Sequence, residues 1–168
     1  LDTSDPYEKI KQAYRLMEEC RPIPAERITG EALELYRVKN DEKGMAEAYH
    51  TFGNLYKNGC YHGKNEKYLL QTVGSHEKAY ERSRENFQMS ADLYEKNRDF
   101  MGSSKSYFGI GNTYAIQGKK QMACEYYARS LKAYNDGKTE DPSVHMPIRT
   151  KFTDVPEMIK AFQQKIEC

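Results

Sequence analysis

The side chains able to do chemistry in this chain are few: four cysteines (Cys20, Cys60, Cys124, Cys168) and four histidines (His50, His62, His76, His145). A thiolate can attack, bind a soft metal or pair into a disulfide, and an imidazole can move a proton or ligate a metal. Catalysis needs such groups beside a base, an oxyanion donor or a phosphate-binding loop. The sequence has no Gly-rich phosphate loop, no HExxH pair and no GxSxG elbow. Cys60, His62 and His76 can be drawn as metal ligands, but a fourth ligand at zinc-type spacing is missing, so the plainer reading of that stretch is a loop. The residues therefore point away from an enzyme and name no cofactor and no metal. They suggest a chain that works by its shape.

What would position these residues is a repeat. Residues 32–56 (ALELYRVKNDEKGMAEAYHTFGNLY) lie over residues 90–114 (SADLYEKNRDFMGSSKSYFGIGNTY) at a constant offset of 58. Leu35, Tyr36, Gly44 and Tyr49 recur as Leu93, Tyr94, Gly102 and Tyr107. Gly53, Asn54 and Tyr56 recur as Gly111, Asn112 and Tyr114. A second offset, 40, places Ser83, Phe87, Ser90 and Tyr94 over Ala123, Tyr127, Ser130 and Tyr134. Within a copy the spacing is helical, since Tyr49, Phe52, Gly53 and Tyr56 fall on one face. A Gly inside a helix costs about 1 kcal/mol relative to Ala. Gly53 and Gly111 are therefore expected where two helices approach closely, with Ala123 and Ser130 as small residues opposite.

This pattern resembles the tetratricopeptide repeat. Residues 106–136 carry nearly the whole motif: Tyr107, Ile110, Gly111, Tyr114, the turn Gly118, Ala123, Tyr127, Ser130 and Leu131, with Asn135-Asp136 where the family usually has a closing Pro. Residues 46–59 match the first helix of another copy. The resemblance covers residues 32–59 and 83–135, and it implies an all-α, right-handed solenoid of about three helix pairs plus a C-terminal capping helix, in a single domain. The first pair, residues 5–39, is degenerate. It opens on the cap signature Asp5-Pro6-Tyr7-Glu8, is broken at Pro22 and Pro24, and returns over residues 25–39. The second pair, 43–98, holds an insertion at 60–75, in which residues 66–73 are either a helical turn or a loop. The third pair is 101–135. Residues 136–154, with Asp136-Gly137, Pro142 and Pro147, read as an irregular linker. A capping helix follows over 155–167, with Val155, Ile159, Phe162 and Ile166 as its apolar stripe and the exposed face of the last repeat to cover.

In a stack of helical hairpins, the end of each first helix and the start of each second helix share an edge. Cys20, Cys60, Cys124 and Cys168 all fall there, with Cys20–Cys60 and Cys124–Cys168 as the natural pairs. Small thiols that merely fill helix interfaces are the competing reading; the even count and the shared edge favour pairing. Pairing would place the protein in an oxidising, exported compartment such as a periplasm, and free thiols would leave a cytoplasmic location open.

The family resemblance also implies a concave groove lined by the first helix of each pair. Carried over by register, the groove residues are His50, Asn54 and Lys57, then Lys105, Phe108 and Asn112, with Lys11 and Arg15 from the first pair. The two asparagines would hold ligand backbone or only complete the motif. The groove is mildly basic with one exposed aromatic, although Glu8 and Glu47 stand nearby. It suits another protein or peptide with an acidic segment or a terminal carboxylate. The functional reading is a scaffold or adaptor. The alternatives are a structural or assembly part of a bacterial envelope complex and a chaperone-like module that uses the 60–75 insertion.

Composition agrees with a helical stack. The chain of 168 residues is 30% charged and 38% hydrophobic, with 14 Tyr, 7 Met and no Trp. Tyr and Met suit thin cores, because both fill space close to water. The net charge of +1 and the interspersed signs lack the basic face of a nucleic-acid binder. No apolar run is long enough to span a membrane. The chain begins Leu1-Asp2-Thr3 without Met, as expected if a leader or anchor has been removed.

Overall fold

Caps written in the sequence set the helix boundaries. The structure, a computed structural model, describes residues 4–146, 152 and 154–168. Among them the chain is all helical, without strands. In order come α1 (Pro6–Glu18), α2 (Pro22–Val38), α3 (Glu42–Tyr56), α4 (Gly59–His62), α5 (Glu66–Thr72), α6 (His76–Lys96), α7 (Phe100–Ile116), α8 (Lys120–Glu140) and α9 (Val155–Lys165). Asp5 opens α1 by accepting the Tyr7 N–H at 3.0 Å, with Pro6 in the first turn, where no N–H is needed. Asp41 and Asp99 open α3 and α7 by accepting, each at 2.9 Å, the N–H three residues on, that of Gly44 and of Gly102 respectively. The residues just before them, Asn40 and Arg98, take left-handed φ values of 52° and 55°. The turns entering α3 and α7 are thus copies of each other.

Each long helix packs on the next: α1 on α2, α2 on α3, α3 on α6, α6 on α7, α7 on α8 and α8 on α9. In addition α1 touches α3, and α3 touches α7, so alternate helices form a row. The repeated glycines make the close approaches. A Cβ on Gly53 would meet the Phe87 ring at 2.6 Å, and one on Gly111 would meet the Tyr127 ring at 2.7 Å. Ala123 lies against Gly111 as expected, through its carbonyl. Ser130 instead faces Ser104, and each hydroxyl donates to the other's carbonyl at 2.8 Å. Ser90 makes the equivalent bond to the Ala46 carbonyl at 2.7 Å. Hydroxyls buried this way are satisfied, and their small side chains keep the helices close.

The insertion, residues 60–75, contains α5 and all but the first residue of α4. Its anchor is Glu26 of α2, whose carboxylate accepts from three phenols: Tyr56 at 2.9 Å, Tyr61 at 3.3 Å and Tyr68 at 3.4 Å. The expectation of an irregular linker over 136–154 needs correction at its start, because α8 continues to Glu140. Gly137 is buried there against α7, where a Cβ would lie 3.2 Å from Met101 and 3.4 Å from Phe100. Packing on α7 outweighs the weak helix preference of Gly. The Pro147 end of that linker lies outside the described residues. Asp154 caps α9 by accepting the Glu157 N–H at 2.8 Å. Val155 and Ile159 are buried, and Phe162 and Ile166 rest on the same core as Tyr127 and Tyr134.

Candidate functional site

The helix ends bring the four cysteines into two pairs at disulfide distance. Cys20 follows α1 in a left-handed conformation (φ 59°) and lies against Cys60 in α4, with a Cα separation of 5.3 Å. Cys124, early in α8, lies against Cys168 beyond α9, with a Cα separation of 5.6 Å. Both values fall inside the usual disulfide range of about 4.4–6.8 Å. No cysteine is left free. These are the pairs that the shared edge suggests, and they are compatible with an oxidising compartment.

Along the row α1–α3–α7, charged and amide side chains gather between α3 and α7. Glu47 accepts from Lys105 Nζ at 2.8 Å and from the Tyr94 hydroxyl at 2.6 Å. Burial alone would raise the Glu47 carboxyl. The charge of Lys105, with the hydrogen bonds from Lys105 and Tyr94, outweighs it and holds the pKa at about 2. His50 is buried, with Nδ1 3.2 Å from the Ser106 hydroxyl and its ring edge-on to Phe87. That burial drives its pKa well below the ordinary value; Lys105 and Lys57 push the same way and Glu47 opposes them. His50 therefore has no surface to offer a ligand, because Ser106 and Phe87 close over it.

The other residues assigned to the groove divide into engaged and available. Asn54 donates to the Tyr14 hydroxyl at 3.3 Å, so it ties α3 to α1, with its amide oxygen left over. The Asn112 oxygen accepts from the Tyr127 hydroxyl at 2.7 Å, which leaves its NH2. Phe108, expected to be exposed, is half-buried: Phe162 of α9 meets it edge-on with centroids 5.1 Å apart, and Tyr127 lies at 5.5 Å. The capping helix has taken the aromatic that a ligand was expected to use. Lys11 and Arg15 are exposed on α1, and Lys11 pairs with Glu8 at 2.9 Å. Lys57, just past α3, is different. It is only partly exposed, burial pulls its ammonium below the ordinary lysine value, and no carboxylate among the described residues pairs with it.

Chemically, this surface offers ammonium and amide donors at one end and a neutralised Glu47–Lys105 pair beside them. The Ser106 hydroxyl lies beside the His50 imidazole, but both residues are buried. The possible ligand trio of Cys60, His62 and His76 is divided: the two histidines meet, but Cys60 is committed to Cys20. Among the described residues no three candidate ligands converge on a metal position. His145 is exposed beyond α8. Among the described residues no helix is long and apolar enough to cross a membrane. The roles of Glu26, Tyr14 and Glu66 were not read from sequence; Glu47 was legible as a neighbour of the groove but not as the counter-ion of Lys105. No protein-family model, curated protein or solved structure matches the chain.

Proposed function

We propose that the chain is a right-handed solenoid of three tetratricopeptide-type pairs, α1/α2, α3/α6 and α7/α8, closed by α9. It acts as a scaffold or adaptor that holds a segment of another protein along the row α1–α3–α7. The neighbour-to-neighbour packing and the copied turns before α3 and α7 support the architecture. The observation that carries the binding role is Lys57, a half-buried cation that pairs with no carboxylate among the described residues, one turn from the half-used amide of Asn54. Leaving a charge in this state costs stability unless something outside the chain answers it. An acidic segment or a C-terminal carboxylate would do so through a charge-assisted hydrogen bond. With Phe108 under α9 and His50 closed in, the groove residues reduce to Lys11, Arg15, Asn54, Lys57, Asn112 and the spare donors of Lys105.

The cysteine pairs favour an exported location, the periplasm in a bacterium, and with it a second reading as a structural part of an envelope assembly. The test of the binding role is a titration with Asp/Glu-rich peptides whose C-termini are free or amidated. Lys57→Glu should weaken binding at least tenfold while leaving the melting temperature unchanged or slightly raised. Equal affinity of the wild type and Lys57→Glu for every peptide would remove the groove reading and leave the structural one.

A further inference from the structure

We propose that His62 and His76 share one proton, and that this proton fastens the 60–75 insertion to the α3/α6 pair as a pH-responsive latch. The two Nδ1 atoms are 2.7 Å apart, while the ring centroids are 5.0 Å apart and the planes 25° from parallel. The centroid separation exceeds the nitrogen separation by two ring radii. The nitrogens therefore lie on the line between the rings, which meet edge to edge with their lone-pair axes aligned.

Proton bookkeeping follows from the far side of each ring. His62 Nε2 lies 2.8 Å from the Tyr56 carbonyl oxygen, which can only accept, so Nε2 carries a hydrogen. His76 Nε2 lies 2.7 Å from Glu66 Oε1, and an ionised carboxylate likewise only accepts, so this nitrogen also carries a hydrogen. Two neutral rings would then aim lone pairs at each other across 2.7 Å. One added proton turns that repulsion into a charge-assisted N–H···N bond; a second would set two N–H groups face to face. The pair holds one proton and titrates as a unit. Glu66 places the charge on His76.

Among the described residues the surroundings offer the proton no other partner. Tyr80 of α6 stacks on His62 with centroids 4.2 Å apart and adds no charge, its phenol being pushed up by burial. Glu26 of α2 is taken by its three phenols, and Arg82 lies over the Tyr56 ring. Lys64, Lys67 and Lys78 are exposed. A metal ion fits the geometry less well. Tetrahedral zinc would need the nitrogens about 3.3 Å apart, with their lone pairs converging at an angle.

The bonds join four elements: the end of α3 through Tyr56, α4 through His62, α5 through Glu66 and the first residue of α6, His76. Imidazoles change charge between about pH 5 and 8. As the pH rises through that range the shared proton is lost, the lone pairs separate, and the insertion swings away from α6. The Cys20–Cys60 pair and Glu26 still hold its other side. This inference does not depend on what the groove binds.

Nitrogen NMR of the histidine side chains and amide exchange of residues 62–76 test it on the metal-free wild-type protein. At pH 6 we expect one ring protonated on both nitrogens and the other neutral with hydrogen on Nε2, followed by loss of a single proton. Above that step, the protection of the insertion should fall by up to about tenfold per pH unit. His76→Gln, which can donate to His62 but cannot titrate, should abolish the pH dependence. Two independent histidine titrations, or flat protection from pH 6 to 8, would overturn the proposal. So would zinc binding through both Nδ1 atoms together with absence of the proton step in metal-free protein, which would make this a metal site.

Discussion

Glu47 and Lys105 occupy the same position in two successive copies of the repeat, and they meet: Lys105 Nζ lies 2.8 Å from Glu47 Oε2 across 58 residues of sequence. Equivalent positions touch only where α3 and α7 run side by side at the same height, so the opposite charges mark the alignment of one copy against the next. Lys105→Glu should destabilise the protein by about 1–2 kcal/mol, and Glu47→Lys with Lys105→Glu together should recover part of that loss. Thermal melts of the two single variants and the double variant measure the coupling. Strict additivity would show that the pair contributes nothing.

The glycines separate into those that make room and those that do not. A Cβ on Gly109 would meet the Phe87 ring at 2.6 Å, and Phe87 is fully buried and cannot yield. Gly109→Ala should cost about 1–3 kcal/mol by overpacking. Gly59→Ala meets nothing within 4 Å at the start of α4 and should be neutral or stabilising by about 0.5 kcal/mol. Urea denaturation of both variants distinguishes the two environments.

Acid should weaken the fold in stages. His50 is held neutral in the native state, its pKa depressed below 6.5, so the unfolded chain takes up a proton that the native chain refuses. The His50 contribution to stability therefore falls as the pH drops through about 6.5, opposite in sign to that of the His62–His76 pair. Glu47, about 2 in the fold against 4.5 unfolded, contributes stability that is present above about pH 4.5 and is lost toward pH 2. Melting temperatures from pH 8 to 3 should show both stages. His50→Leu should flatten the first, because Ser106 keeps Ser90 as a partner at 3.0 Å.

Thiol chemistry checks the cysteine pairs directly. The unfolded protein should show no free thiol without reductant and four after reduction. Each pair closes a span of some 40 residues, 40 for Cys20–Cys60 and 44 for Cys124–Cys168. The chain-entropy model then assigns each bridge about 4 kcal/mol, so reduction should lower the melting temperature markedly. Four free thiols at the outset would remove both bridges and the argument for an oxidising compartment.

Much of the helical layout was legible because glycines and aromatics recur at fixed offsets: Gly44 with Gly102, Gly53 with Gly111, Phe87 with Tyr127. The cysteine pairs followed from which helix ends share an edge. What stayed hidden depends on side chains meeting across elements that no period relates. Asp136 to Glu140 look like a loop in isolation and become helix only because Gly137 has α7 to lie on. Phe108 reads as open until α9 folds back over it, and His50 until Ser106 and Phe87 enclose it. The His62–His76 contact joins residues that the sequence could only pair as possible ligands.

The two cysteine bridges also decide how the molecule would carry a pull along its chain. Tension arriving before Cys20 would cross to Cys60, and tension arriving at Cys124 would cross to Cys168, so residues 21–59 and 125–167 stand outside the load path. That shields α2, α3, most of α8 and all of α9. Two stretches bear the strain: α1, before Cys20, and the segment between Cys60 and Cys124, which holds the insertion, α6 and α7 by packing and hydrogen bonds alone. A stretched molecule would therefore lengthen at α1 and at its centre first, with the helices inside the two bridges kept folded until a sulfur–sulfur bond is reduced.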